Sequence, residues 1–475
     1  MEASQHIVRG SVLVVLAQMF VRVFSLVFEI FVARRLTATF FGEYSFILSY
    51  TAMFFIVSDF GINTYLIYTL ARDSRDLDAY VNSAMSVKIV LVVLMVGMNY
   101  GLALILGRTS SVVAGICIIS ASLAVNAIQY FFRAMLQARG EMGYEALLSS
   151  LETLVRVLVG TAFLICGSSF LVFVSSYLLS AVFLLIVTLR LASKKLGLRK
   201  LQFDLSHWKP IVRETLPFGA ALVFISIYGQ VDVVILGLMS SSAMVAWYSV
   251  GLRLATFWVF VVSALVTAIF PSLCRLYEVS QPRLVSLCRK AFKLTFAVGL
   301  FISLELMIMS RELVQFVYGS KYEQSVPVLV ILSWTGLLLA LNMLLGAFVR
   351  AIKQQRINGI VSGVALVASV GMNLLLIPGL GYQGTAIACL CTQILVSVLY
   401  TVTIWKRIGA FWSIADLLNP LVVGAIVALV NLLLRQQNMA LVFATCAGLY
   451  LALLYVTKFI TKQDLHLLGE SLYPR

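Results

Sequence analysis

The chain has 475 residues, 61% hydrophobic and 12% charged, about half the ~25% charge of an ordinary soluble domain. That composition cannot supply the charged surface of a soluble enzyme, and it also excludes a disordered linker and a secreted disulfide scaffold. The formal charge of +15, from 35 Lys+Arg against 20 Asp+Glu, is therefore read first as membrane topology and not as nucleic-acid binding.

A helix needs about 20 apolar residues to cross a hydrocarbon core of about 30 Å. In chain order such segments fall at 10–33, 43–68, 82–106, 112–132, 146–166, 170–190, 216–239, 243–270, 292–310, 326–349, 358–377, 384–405, 417–434 and 439–458. These are spans 1 to 14 of an all-α polytopic membrane protein. Runs such as Val87–Gly97, Lys88 apart, and Leu171–Thr188 carry apolar residues on every face, whereas barrel strands alternate. Pro217, Pro327 and Pro420 stand at expected helix starts, and Pro271 and Pro378 at expected ends. No pair of half-helices is interrupted by proline, so a discontinuous-helix site of the kind some transporters use is not expected. Span 1 is too long for a cleavable signal and carries Arg22 and Glu29, so it is expected to remain.

Lys and Arg set the orientation. With the N-terminus inside, 24 of the 35 lie in cytoplasmic segments, 6 in outer loops (Arg34, Arg35, Arg108, Arg311, Lys321, Arg435) and 5 within spans. That bias places both termini in the cytoplasm. The 7 cysteines (Cys117, Cys166, Cys274, Cys288, Cys389, Cys391, Cys446) contain no CxxC pair and read mostly as buried apolar side chains. The 3 histidines, His6, His207 and His466, lie outside the spans. Neither a metal site nor a histidine relay is expected.

The chain repeats itself. Phe131-Phe132-Arg133-Ala134-Met135-Leu136-Gln137-Ala138-Arg139 closes span 4, and Phe348-Val349-Arg350-Ala351-Ile352-Lys353-Gln354-Gln355-Arg356 closes span 10. Lys194-Lys195-Leu196-Gly197 and Lys406-Arg407-Ile408-Gly409 close spans 6 and 12. Tyr44-Ser45 and Tyr248-Ser249 open spans 2 and 8. Each match recurs six spans later, which implies two parallel six-helix lobes and alternating access between them. The expected layout is an N-lobe at 9–197 and a cytoplasmic linker at 198–211. A C-lobe at 212–409 follows, then two further helices at 416–460.

Several short motifs now carry a resemblance. They are Ala33-Arg34-Arg35-Leu36, Phe41-Gly42-Glu43-Tyr44, Asp59-Phe60-Gly61-Ile62, Pro217-Phe218, Asp232 with Leu236-Gly237, and Phe270-Pro271. In their order and spacing on a fourteen-span frame, the chain resembles the multidrug/oligosaccharidyl-lipid/polysaccharide (MOP) exporter superfamily, over essentially its whole length. Within that superfamily it is similar to the polysaccharide transporters, the Wzx-type O-antigen flippases. The resemblance implies a MATE-like fold in a bacterial cytoplasmic (inner) membrane. It also implies movement of undecaprenyl-diphosphate-linked oligosaccharide to the outer leaflet, for O-antigen, capsule or exopolysaccharide assembly. Membrane lipids, a polysaccharide polymerase and chain-length proteins are the implied partners, and nucleic acid is not.

Ten ionisable residues sit within spans: Arg22, Lys88, Arg156, Arg253 and Lys293 against Glu29, Asp59, Glu152, Asp232 and Glu305. Each costs roughly 2.5–3.5 kcal/mol at a helix centre, so each must pair, snorkel or face a wet cavity. Glu152 and Arg156 are spaced i,i+4 and suit an ion pair; Asp232 and Arg253 stand at matched distances from the turn between spans 7 and 8. Lys293 can snorkel. For a diphosphate cargo, fixed cations replace lost hydration, and Arg binds phosphate oxygens bidentately. Arg22 and Arg253, then Lys88 and Arg156, with Lys293, are the expected substrate contacts. Asp59, then Glu29, are the expected coupling residues, with Asp232, Glu152 and Glu305 as further coupling or ion-pair groups. No cofactor is expected; a proton or sodium gradient is the candidate energy source.

Three other readings compete. A MATE-type multidrug exporter would need an acidic cavity for cationic cargo, which five intramembrane bases oppose. A lipid II flippase shares the frame and a cationic cavity. A membrane polysaccharide polymerase or glycosyltransferase needs a sizeable extramembrane loop or domain, yet the longest outer loop, 311–325, holds no nucleophile–base set. An enzyme is therefore not expected.

Overall fold

The structure is a computed structural model describing residues 2–72, 77–196, 202–204, 206–434, 437–457 and 459. Arg75, Gly197, Arg199, Lys200, Arg435, Lys458, Lys462, His466 and Arg475 lie outside the described residues, as do the side chains of His6, Arg9, Arg72, Pro217 and Phe218. Seventeen α-helices follow one another, with no strand among the described residues. They are α1 (Glu2–Arg35), α2 (Ala38–Phe55), α3 (Ile62–Arg72), α4 (Leu77–Ile105), α5 (Ser110–Ala138), α6 (Met142–Ile165), α7 (Phe170–Leu196), α8 (Trp208–Tyr228) and α9 (Val231–Met239). Then come α10 (Ser242–Thr256), α11 (Val259–Val279), α12 (Gln281–Ile308), α13 (Ser310–Val317), α14 (Val326–Ala351), α15 (Gln355–Ile408), α16 (Ile414–Leu434) and α17 (Met439–Val456). Eleven helices among the described residues are long and apolar enough to cross a membrane, or twelve if the bent α8–α9 pair is one span.

Local chemistry accounts for the starts and breaks. The Thr37 and Ser241 hydroxyls accept from the backbone N–H of Phe40 and Met244, capping α2 and α10 as N-cap residues do. Pro282 and Pro327 stand in the first turns of α12 and α14, where a missing N–H costs nothing. Spans 11 and 12 are the two arms of α15, separated at Gly381, whose φ of 56° departs from the helix. Three expected proline boundaries are not boundaries: Pro271, Pro378 and Pro420 lie inside α11, α15 and α16. In a membrane, neighbouring helices and local adjustments re-satisfy the carbonyl that proline frees.

The expectation of no discontinuous helix fails at span 2. There α2 passes into a 3₁₀ turn at Ile56–Ser58, and α3 restarts at Ile62. Phe60 and Gly61 take φ of 43° and 87°, so glycine and not proline makes the break. Span 7 is likewise bent by 47° between α8 and α9.

The described chain forms two compact units, Met1–Gly237 and Leu238–Arg475, so α8 and most of α9 pack with the first. In the first unit a buried apolar cluster joins α3, α4, α5, α6, α7 and α8 through Leu66, Met85, Phe131, Leu148, Leu184 and Ile211. In the second, α12, α16 and α17 share a cluster centred on Phe301, Val427 and Tyr450. Of the cysteines, Cys288, Cys389 and Cys446 are buried, but Cys117 and Cys166 are exposed, as suits thiols at a lipid-facing apolar surface.

Candidate functional site

In the first unit the break in span 2 positions Asp59. Its Oδ1 accepts from the Asn63 backbone N–H at 3.3 Å, so the residue caps the restarting α3. The same oxygen accepts from Lys88 Nζ of α4 at 2.7 Å, and Asn63 Oδ1 accepts a second Lys88 bond at 3.0 Å. Lys88 is fully buried. This ammonium is neutralised within the fold, in the manner that intramembrane charges require. Phe60 follows with its ring against Gly219 of α8, where a methyl group would overlap the ring. The strained turn is thereby held from both sides.

A second ionic cluster joins α5 and α6. Arg133 donates through Nε to Glu145 Oε2 at 2.8 Å, and through Nη2 to the other Glu145 oxygen. Its Nη1 donates to Glu152 Oε2 at 2.9 Å. The Tyr130 hydroxyl donates to Glu152 Oε1 at 3.2 Å, and the guanidinium lies 4.9 Å from the Tyr130 ring. The i,i+4 spacing had suggested Arg156 as the partner of Glu152, but the carboxylate turns instead to Arg133. Arg156 lies with its guanidinium carbon 5.5 Å from the centre of the Tyr177 ring, and no described carboxylate forms an ion pair with it. The Tyr177 and Tyr44 hydroxyls share a 2.5 Å hydrogen bond, which fixes that ring.

The remaining candidates of the first unit are more dispersed. Arg22 and Glu29 stand on α1, Arg22 exposed and Glu29 partly buried. Asp232 occupies the first turn of α9. Arg108, read from sequence as an outer-loop charge, ties the α4–α5 connection to α9. Its Nη2 donates to the Gly237 carbonyl at 2.5 Å, and it lies 4.7 Å from the Phe46 ring.

In the second unit Arg253 occupies the last turn of α10, within electrostatic reach of the Tyr322 hydroxyl. Lys293 lies 4.0 Å from Asp416 Oδ1 and 4.3 Å from the Phe459 ring. Asp416 also takes a bidentate pair from Arg289 at 2.8 and 3.1 Å. Glu305 is buried and accepts from Asn431 Nδ2 at 2.7 Å. The structure thus brings Lys88 to Asp59, turns Glu152 to Arg133, and brings Lys293 to Asp416.

Arg133, Glu145 and Asp416 lie one residue outside the expected spans 4, 5 and 13, so the sequence reading does not place them among the intramembrane charges. A signal was present for the glutamates: Glu145, Glu152 and Arg156 are spaced by seven and four residues, which is one helix face.

Comparisons with known proteins agree with this architecture. Residues 7–277 match the family described as polysaccharide biosynthesis protein. No curated protein matches the chain. Among solved structures, the lipid II flippase MurJ in an inward closed conformation superposes with a TM-score of 0.79 at 14% identity, covering 94% of this chain and 98% of MurJ. An inward-facing MATE-family multidrug transporter gives 0.66 at 15% identity, covering 82% and 94%. A MOP superfamily transporter from Pyrococcus furiosus, described as having a binding pocket of reversed polarity, gives 0.56 at 16%, covering 86% and 96%. At these identities the likeness is one of fold. The family match spans more than half the chain, and it leads to one conclusion: this chain belongs to the polysaccharide biosynthesis protein family, as a multi-pass membrane protein with a MurJ/MATE-like all-helical fold.

Proposed function

We propose that the protein is a flippase for a glycan carried on a polyprenyl diphosphate of the undecaprenyl type, moving it from the cytoplasmic to the outer leaflet of a bacterial inner membrane. O-antigen, capsule or exopolysaccharide assembly is the process it serves, with both termini cytoplasmic. The observation that carries this reading is Arg156: within a span, packed over Tyr177, with no carboxylate bridging it. Lys88 and Arg133 are already neutralised by fixed acids. Glu152 acts on Arg156 through space but bridges Arg133 instead, so Arg156 can offer its planar donors to phosphate oxygens, and the cargo's charge then compensates its own. Arg22 and Arg253 are the further substrate contacts of this reading, and Asp59 and Glu29 its coupling residues, loaded by a proton or sodium gradient.

Reconstitution into vesicles with three fluorescent cargoes tests the reading. These are a polyprenyl-diphosphate oligosaccharide, lipid II, and an organic cation. Leaflet movement of the oligosaccharide lipid supports it. Movement of lipid II alone would reassign the cargo, and export of the cation without any lipid movement would overturn the flippase reading.

A further inference from the structure

The last two helices meet the rest of the second unit through a polar contact that the cargo reading does not use. Glu305 of α12 is 3% exposed, Asn431 of α16 is fully buried, and Cys446 of α17 is fully buried. Asn431 Nδ2 donates to Glu305 Oε2 at 2.7 Å, and the Cys446 thiol makes a second side-chain hydrogen bond to the same carboxyl. One residue from each of three helices thus meets at one carboxyl group. The same three helices share an apolar cluster that includes Phe301, Val427 and Cys446 itself.

Both partners are neutral, and no cation pairs with Glu305 among the described residues. Five helices pack on α12: α11, α13, α14, α16 and α17. Cys446 is the titratable group they bring to it. Their charged residues stand elsewhere: Arg275 and Glu278 near the end of α11, Arg311 and Glu312 on α13, Arg350 in the last turn of α14, and Asp416 in the first turn of α16. On α12 itself, Arg289, Lys290 and Lys293 lie three or more turns away. An anion here would be buried without a counter-charge, and such a group takes up a proton instead.

Asn431 adds an independent observation. Its Oδ1 is buried with no hydrogen-bond partner. A carboxylate can accept from Nδ2 but repels Oδ1. A neutral acid can do both, accepting from Nδ2 and donating its O–H to Oδ1 in an acid–amide ring, after a small rotation of either side chain. Buried polar atoms are normally paired, so the orphaned oxygen marks the place of that proton.

We infer that Glu305 is a proton-binding site that clamps α16 and α17 to α12, closed with the proton bound and released when it leaves. Apolar packing alone gives little drive for helix association in lipid, where tails are as apolar as side chains. A buried polar clamp therefore has leverage over this seam. The inference concerns the proton alone and stands apart from the cargo.

The test uses the full chain in lipid nanodiscs, as wild type and Glu305→Gln, the isosteric neutral mimic. Infrared spectra of protein labelled with ¹³C-glutamate are read against pH, together with amide hydrogen exchange in α16 and α17 corrected for intrinsic base catalysis. The expected result is a neutral-acid carbonyl band near pH 7 that shifts with the label and is absent from Glu305→Gln. At high pH that band disappears while exchange in the two helices of the wild type rises at least about tenfold, with the variant staying protected. Absence of the band, an equal rise of exchange in the variant, or failure of Glu305→Gln to fold would each overturn the inference.

Discussion

Arg133 and Arg350 occupy the same place in the repeated segment, yet their surroundings differ. Arg133 is buried and bridges two glutamates of the next helix. Arg350 is exposed, 5.9 Å from the Phe270 ring. The register that aligns these arginines also aligns Glu145 with Ser362, Glu152 with Ser369 and Arg156 with Asn373. In the second unit those positions are neutral, and Asn373 Nδ2 donates to the Ser369 carbonyl at 2.9 Å. Helix ends differ as well: α5 runs to Ala138, whereas α14 stops at Ala351 and is followed by Lys353 with φ of 61°. Duplication kept the frame and the apolar faces, while the polar interior diverged. Ion pairs and an arginine that no carboxylate bridges mark one copy, and hydroxyl and amide groups mark the other.

The sharpest way to break that comparison is to truncate both arginines. Arg133→Ala leaves the partly buried Glu145 and Glu152 without the cation that bridges them, and is expected to cost about 3 kcal/mol. Arg350→Ala should stay within about 0.5 kcal/mol. Thermal unfolding in nanodiscs reads both; equal losses would mean that the two copies use the arginine alike. Next in size is the Lys88–Asp59 pair. A double-mutant cycle with Asp59→Asn and Lys88→Met should give a coupling of about 0.5–3 kcal/mol, with the double variant more stable than either single one. Additive losses would remove the pair from the account of span 2. Gly219→Ala should cost about 1–3 kcal/mol by overpacking Phe60. The companion Phe60→Leu change is expected to recover part of that loss, and no recovery would place the strain elsewhere.

These residues also show what the sequence could reveal. Apolar run length located the spans, and the repeated FxR segment located the parallel halves. The break at Gly61 is invisible to a reading that looks for proline, because a left-handed glycine ends a helix as well; Gly229 keeps a right-handed φ of -67° at the bend between α8 and α9. Lys88 and Asp59 were both recognised as intramembrane charges, but their meeting depends on how α4 packs beside the break, which no spacing rule encodes. Arg133 was hidden by its location: a charge at a span end reads as topogenic until a neighbouring helix is seen to carry its partners. Arg108 was hidden in the same way, within a short connection.

The smallest effect lies outside the spans. The Asp204 carboxyl accepts from the Ser206 backbone N–H at 2.7 Å, and from the Ser206 and Ser83 hydroxyls. The backbone bond leads in holding it below its ordinary value of 3.8. A depressed carboxyl contributes stability that is present above the unfolded value and lost as pH falls through the folded one. Amide exchange at Ser206 should therefore be protected at neutral pH and accelerate, beyond the intrinsic rate, only as pH drops below 3.8. Asp204→Asn should show the faster exchange at neutral pH, and an unchanged rate would contradict the assignment.

The most direct measurement compares leaflet translocation of a polyprenyl-diphosphate oligosaccharide by wild type, Arg156→Ala, Arg156→Lys and Asn373→Ala in proteoliposomes. Loss of one charge-assisted phosphate contact should slow Arg156→Ala at least about tenfold. Arg156→Lys should fall between Arg156→Ala and wild type, and Asn373→Ala should stay near wild type. Wild-type translocation by a folded Arg156→Ala protein would contradict the assignment of this unbridged arginine to the diphosphate.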